Sequence, residues 1–243
     1  MLVRRRPRTI KPAGEGGRIV MEMFDSAYRD SRLGEPPFEA SSVSDSKLAV
    51  RLLESALRPG SELLSLGSGR GLDEERLARQ GISVTAVDFS AEAVSQLQAR
   101  VEREGIPNLT VVHADVLRYR IRGNYDGIVG IGIMHVIDPG RIPGLLRKIA
   151  LHTRPGGFNL YEYPNGKGMS MGSFEPGVIP EDPTFGDIAR ALYVANGWSF
   201  SLTQESFGKG GNRIVFDTVV AMNAQGGKTE DKFGIAETLA SGV

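Results

Sequence analysis

Residues 62–71 read ELLSLGSGRG, and LDEERLARQG follows at 72–81. Leu63 to Leu66 are apolar enough for a short buried strand, which breaks into a loop carrying Gly67, Gly69 and Gly71. The helical spacing of the next segment completes a strand, glycine loop and helix. That order suits a nucleotide-type cofactor, because glycines let the backbone approach a ligand and a helix start offers unpaired N–H groups. The spacing is G-x-G-x-G, and Leu72 stands where a dinucleotide fingerprint needs its third glycine.

Moving outward, ISVTAVDFSAEAVSQLQARVEREG supplies a second strand, Val84 to Val87, with Asp88 at its C-terminal end. Ser90 is placed to cap a helix whose apolar face is Val94, Leu97 and Val101, and Gly105 closes it. A carboxylate at that strand end, 17 to 21 residues after the glycines, suits two ribose hydroxyls; capping the following helix is the alternative. A third strand, Leu109 to His113, leads to Asp115 and Val116, an acid and an apolar neighbour fit for an adenine, or a plain turn acid. The fourth strand starts at Tyr125 and runs through GIVGIGIMHVID, rich in Ile and Val as a strand buried on both faces requires. It turns into a loop at Met134-His135. Arg141 to Arg154 read as a helix with Ile142, Leu145, Leu146 and Ile149 on one side, and RPGG as a tight turn into a fifth strand, FNLYEY.

Upstream, the periodicity predicts a helix from Asp45 to Leu57 with Ser44 as N-cap. Residues 19–43 mix Phe24, Tyr28 and Phe38 with charge and form a short helix and loop, lying either over a site or on the surface. Downstream, 164–183 is rich in Gly, Pro and Met, a loop long enough to be functional or mobile. A helix over Asp187 to Ala195 precedes two strands, Trp198 to Gln204 and Asn212 to Met222, which pair as a hairpin. The basic segment 1–18 and the Gly-rich segment 224–243 read as flexible tails, leaving a single domain over 19–223.

Twenty-nine basic and 29 acidic residues leave the 243-residue chain with zero net charge, so nothing draws it in bulk to nucleic acid or an anionic membrane. No apolar run is long enough to span a bilayer, and the basic start lacks the apolar core of a signal peptide. Cysteine is absent, which excludes disulfides, thiolate metal sites and a Cys nucleophile. The expected compartment is the cytoplasm, and the expected state a monomer or homodimer.

Taken in order, the glycine loop, Asp88, Asp115 and YDGIVGIGIMHVID followed by RPGG resemble the class I S-adenosylmethionine-dependent methyltransferases. IPGLLRKIALHTRPGGFNLYEYP and GNRIVFDTVVAMNA look like the tellurite-resistance branch of that class. The resemblance covers roughly residues 24–223 and implies an α/β, Rossmann-like seven-stranded sheet, helices on both faces and a C-terminal antiparallel hairpin. It implies S-adenosylmethionine as cofactor, S-adenosylhomocysteine as product, and no metal. The cofactor contacts it implies are Ser65, Gly67, Ser68, Gly69, Asp88, Phe89, Asp115, Val116, Gly130 and Ile131. The family carries an acid two residues before the first glycine; Ser65 stands there and supplies no charge. The acidic run Asp73-Glu74-Glu75 suits a helix N-terminus and reads as a solvated helix start.

Methyl transfer obliges no catalytic residue, since the cofactor carries the chemistry and the protein aligns it. Where a proton must be lost, His135 after the fourth strand is the expected base or substrate contact, unless it packs in the turn. His113 and His152 read as structural. Tyr28, Tyr161, Tyr163 and Arg213 are expected substrate contacts; core packing takes at least one of the strand tyrosines, and a surface ion pair competes for Arg213. The expected substrate is a small molecule in an enclosed pocket: a chalcogen oxyanion, a thiol or selenol, or an oxygen or nitrogen of a specialised metabolite. A protein of this fold that binds the cofactor without methylating is the alternative. A nicotinamide oxidoreductase is weakest, because the loop spacing is wrong.

Overall fold

The computed structural model describes residues 22, 24–30, 47–164, 184–207 and 214–224. A helical segment, α1, covers 24–30. Five strands and four α-helices then follow in the order α2 (Lys47–Ala56), β1 (Glu62–Leu66), α3 (Leu72–Arg79), β2 (Ser83–Asp88), α4 (Ala91–Glu104), β3 (Leu109–His113), β4 (Tyr125–Ile131), α5 (Ile142–Leu151) and β5 (Thr153–Pro164), with no helix between β3 and β4 among the described residues. Helix α6 (Thr184–Ala195) leads to β6 (Ser199–Phe207) and β7 (Ile214–Met222). All seven strands form one sheet in the order β3-β2-β1-β4-β5-β7-β6. The first five are parallel; β7 alone runs against its neighbours, pairing β5 on one side and β6 on the other.

Two apolar layers sandwich the sheet, as a parallel sheet buried on both faces requires. Alternation sends Leu63 to one layer, with the buried residues of α2, α3 and α4, and sends Leu64 and Leu66 to the other, under α5 and α6. Leu48 and Leu52 of α2, Leu77 of α3 and Leu97 of α4 line the first layer; Leu145, Leu146 and Ile149 of α5 line the second. Among the described residues, no helix is long and apolar enough to cross a membrane.

The order reverses beside β1, whose neighbours β2 and β4 lie on opposite sides. At such a reversal the connections leave in opposite directions and open a crevice outside the carboxyl ends of the strands. Everything described below as a candidate site lies at that edge.

Element boundaries follow local chemistry closely. Ser90 caps α4, its hydroxyl accepting from Ala93 N at 3.2 Å, and Gly105 ends that helix in the left-handed conformation. The RPGG segment behaves differently from the expected turn. Thr153 already pairs with Tyr125, the next partners are Phe158 and Gly127, and residues 154–157 bulge out between them. Gly156 and Gly157 exchange backbone bonds with Asn223, at 2.8 and 2.9 Å, so the end of the hairpin holds the bulge in the sheet. The flexible tails, the Ser44 cap and the long loop fall outside the described residues.

Candidate functional site

The glycine loop turns directly off β1. Gly67 N and Ser68 N both donate to Val87 O of β2, at 2.7 and 3.2 Å, and Gly71 N closes the turn on Ser68 O at 2.9 Å. Gly71 precedes α3 with φ of +65°, and a Cβ there would lie 2.3 Å from Leu97 Cδ2, so a side chain is refused by both backbone and space.

Asp88 joins this loop to the next. Its Oδ2 accepts from Gly69 N at 2.7 Å and its Oδ1 from Ser90 N at 2.8 Å, with the residue 97% buried. Burial pushes its carboxyl above the ordinary value, and the backbone N–H bonds and nearby His113 only partly offset this. The Phe89 backbone N–H also favours its ionised form, and the acceptor capacity that remains on the carboxylate is available to ligand hydroxyls.

Helix α1 lies across the loop. Its Tyr28 hydroxyl is so close to Gly69 that a Cβ there would sit 2.5 Å from it. Tyr28 O accepts from Arg70 Nη2 at 2.7 Å and Gln96 Nε2 at 3.1 Å, and Phe24 meets Phe89 edge to face with centroids 5.5 Å apart. Asp25 accepts from the Ser90 hydroxyl at 2.5 Å. Burial raises the Tyr28 phenol well above its usual value, and the charges of Asp88 and Glu74 add to the effect. That places the phenol over the loop, within electrostatic reach of two buried carboxylates.

The second carboxylate corrects the reading of 73–75 as a solvated helix start. Glu75 is in ion pairs with Arg79 and Arg100, at 2.9 and 3.0 Å. Glu74 is buried with Leu77 and Ala78, three and four residues on, along the inward face of α3. The Ser65 hydroxyl donates to Glu74 Oε1 at 2.5 Å. Burial, together with neighbouring Asp73 and Asp88, raises the carboxyl to about 7 although the Ser65 bond favours its ionised form. Among the described residues no cation is paired with Glu74.

At the end of β3, Asp115 accepts from Leu117 N at 2.9 Å, which shapes a turn, and Val116 is buried beside it. Lys148 of α5 holds that turn by donating to the carbonyls of Val116, Leu117 and Tyr119 at 2.9–3.3 Å. At the end of β4, Gly130 packs against Met134 and Ile133, and Gly132 N donates to Glu162 O at 2.7 Å. His135 stands in the 3₁₀ turn Met134–Val136 directly after. Its Nδ1 is inaccessible and has no hydrogen-bond partner among the described residues, and burial lowers the imidazole to about 4, so the ring is neutral near pH 7.

Glycine loop, Asp88, Asp115, Gly130–Ile131 and His135 thus gather at one edge of the sheet, with Tyr28 above the loop. Tyr161 stands beside Gly130 in the sheet, but it and Tyr163 are both taken up in core packing. Tyr161 is fully buried, shares a hydrogen bond with Tyr193 at 2.7 Å and packs on Phe185 of α6. Tyr163 donates to Asp217 at 3.2 Å and packs on the same ring. Core packing was expected to take at least one of the pair, and it takes both. Arg213 lies outside the described residues. His113 and His152 each bond a backbone carbonyl, of Phe89 and Gly123, at 2.9 and 2.7 Å.

A family profile described as a methyltransferase domain matches residues 63–157, from β1 to the bulge of β5. The chain is 28% identical over 159 residues to a probable S-adenosyl-L-methionine-dependent methyltransferase, TehB, of Haemophilus influenzae, a match covering 63% of this chain and 53% of that protein. The chain therefore spans about half the length of that curated relative. Superposition on the crystal structure of Haemophilus influenzae TehB gives a TM-score of 0.58 at 21% identity, covering 76% of this chain and 66% of the other. The 1,6-didemethyltoxoflavin-N1-methyltransferase of Burkholderia thailandensis, solved with bound 1,6-didemethyltoxoflavin and S-adenosylhomocysteine, gives 0.59 at 19% identity, covering 90% and 94%. Strand order, loop and these likenesses agree: the chain has the fold of the class I S-adenosylmethionine-dependent methyltransferases.

Proposed function

We infer that the chain transfers a methyl group from S-adenosylmethionine to a small-molecule nucleophile. The observation that carries this reading is Asp88: a buried carboxylate tied to the glycine loop and to the start of α4, with acceptor capacity beyond those backbone bonds. A ribose with two adjacent hydroxyls fits those acceptors. Asp115 and Val116, on the strand beyond, suit the adenine amine and ring; Gly130 and Ile131, on the other side of β1, suit the far end of the cofactor. When bound, S-adenosylmethionine supplies a methyl carbon on a sulfonium, which an acceptor lone pair takes as the carbon–sulfur bond breaks.

What remains for the protein is alignment and exclusion of water. The α1 segment covers the loop side of the crevice, with Tyr28 over Gly69. His135, neutral near pH 7, suits accepting a proton from an acceptor that must lose one, although burial makes it a weaker base than a free imidazole. The similarity to a probable S-adenosyl-L-methionine-dependent methyltransferase supports methyl transfer, and the Burkholderia neighbour, an N1-methyltransferase holding 1,6-didemethyltoxoflavin, supports a small molecule as acceptor. The neutral chain argues against nucleic acid as substrate.

Calorimetry with S-adenosylhomocysteine tests the cofactor assignment. Binding by the wild-type chain, lost in Asp88→Ala, is expected; unchanged affinity in that variant removes Asp88 from the ribose site. A radiolabelled methyl assay against tellurite, selenite, small thiols, phenols and heterocyclic amines then reads transfer itself. Binding without transfer to any of them would favour a non-methylating role.

A further inference from the structure

Three acidic groups lie at the carboxyl ends of three adjacent strands, β3, β2 and β1, in sheet order: Asp115, Asp88 and, reaching over from α3, Glu74 on Ser65. If Asp115 faces the adenine and Asp88 the ribose, the third group faces the methionine end. We propose that Glu74, held by the Ser65 hydroxyl, is the counter-ion for the α-ammonium of the bound cofactor, supplying from the first turn of α3 the charge that β1 lacks at Ser65. The inference rests on the S-adenosylmethionine reading above and names one group within that site.

Its physical ground is the state of Glu74. The residue is 92% buried, it accepts from the Ser65 hydroxyl and from its own backbone N–H, and among the described residues it is paired with no cation. Among the described residues, the groups facing it are Tyr28 from α1, Ser65 from β1, Asp88 from β2 and its own neighbour Asp73, none of which carries positive charge, while the loop cation Arg70 lies over the Tyr28 ring and donates to its carbonyl. A buried carboxylate so placed must either hold a proton or receive a cation from a ligand. Helix packing does not explain it: the apolar residue that α3 spacing asks for at that position, in line with Leu77 and Ala78, is replaced by an acid. The upward shift to about 7 is consistent with a carboxyl waiting for its partner. An ammonium within reach would stabilise the anion and expel the proton.

Two ligands that differ only at the amino-acid end separate this role from a structural one. S-adenosylhomocysteine carries the ammonium; methylthioadenosine keeps adenine, ribose and sulfur but lacks it. In Glu74→Gln, affinity for S-adenosylhomocysteine is expected to fall roughly 10- to 100-fold, the worth of a hydrogen bond to a charged group, with methylthioadenosine unaffected. Ser65→Asp added to Glu74→Gln is expected to restore much of the loss. Equal loss for both ligands, or no loss for either, overturns the assignment alone. No binding of either ligand by the wild-type chain overturns the cofactor reading and this assignment with it. A readout that needs no variant is proton release. Titration near pH 6.5 in buffers of different ionisation heat should show most of one proton released with S-adenosylhomocysteine and none with methylthioadenosine. Equal release with the two ligands refutes the proposal.

Discussion

Glu74→Gln should make the unliganded chain more stable above neutral pH. Raising a carboxyl from 4.5 to about 7 means that ionising it costs the folded chain roughly 3 kcal/mol more than the unfolded one. The folded value lies above the unfolded one, so the native state binds the extra proton. Its contribution to stability is complete below about pH 4.5 and is lost as pH rises through about 7. Glutamine mimics the protonated side chain, still accepts from Ser65, and has no charge to bury. Near pH 8 the variant should therefore unfold about 2–3 kcal/mol later than wild type, and near pH 4.5 the two should coincide. Asp88, also raised, bends both curves the same way, and its repulsion of Glu74 is part of the difference that is read. Urea unfolding without ligand, extrapolated linearly at a series of pH values, measures it. A difference between the two chains that does not change with pH would show that Glu74 is not held as an unpaired buried acid. A variant that is more stable yet binds the cofactor less well is the combination a purely structural glutamate cannot produce.

Three further outcomes follow from other parts of the fold. Gly71→Ala forces Cβ against Leu97 and into a left-handed φ, and should cost about 2–4 kcal/mol, visible as a lower Tm. The His135 imidazole, lowered to about 4 by burial, should stay neutral by NMR until the pH falls below about 5. Because that value lies below the unfolded one, its contribution to stability is present above about pH 6.5 and is lost as pH falls through about 4. Tyr193→Phe removes a hydroxyl that bonds both Tyr161 and Asn159, at 2.7 and 2.9 Å, and should cost about 1–3 kcal/mol in urea unfolding. It should leave S-adenosylhomocysteine affinity unchanged, since the network lies in the core under α6.

Most of the architecture was legible because its signals are local. The glycine loop, the Ser90 cap, the Gly105 stop and the alternation of β7 each lie within a few residues of what they determine. What escaped is non-local. Glu74 read as one of three solvated acids because charge at a helix start is ordinary, whereas its burial depends on the packing of α3 against the sheet, where it meets Ser65 of β1. A signal was present: Glu74 stands three and four residues before Leu77 and Ala78, whereas Asp73 and Glu75 are each in phase with only one of them. Alternation put Tyr161 and Tyr163 on one face of β5, but only the arrival of α6, with Phe185 and Tyr193, decides that this face is core. The RPGG segment has the composition of a turn, and Asn223, far along the chain, converts it into a bulge.

Ser90 illustrates how narrow the tolerance of such a position can be. Its oxygen receives the Ala93 N–H that starts α4, while its proton goes to Asp25 of α1. Aspartate or asparagine would serve the first purpose as well as serine does. Aspartate has no proton to give, and it would bring a third carboxylate against Asp25 and Asp88. Asparagine would have to turn its oxygen to α4 and its amide to α1 in a space 0% exposed to solvent. Only a hydroxyl meets both demands from one atom, so among close homologues this cap should vary between serine and threonine and no further.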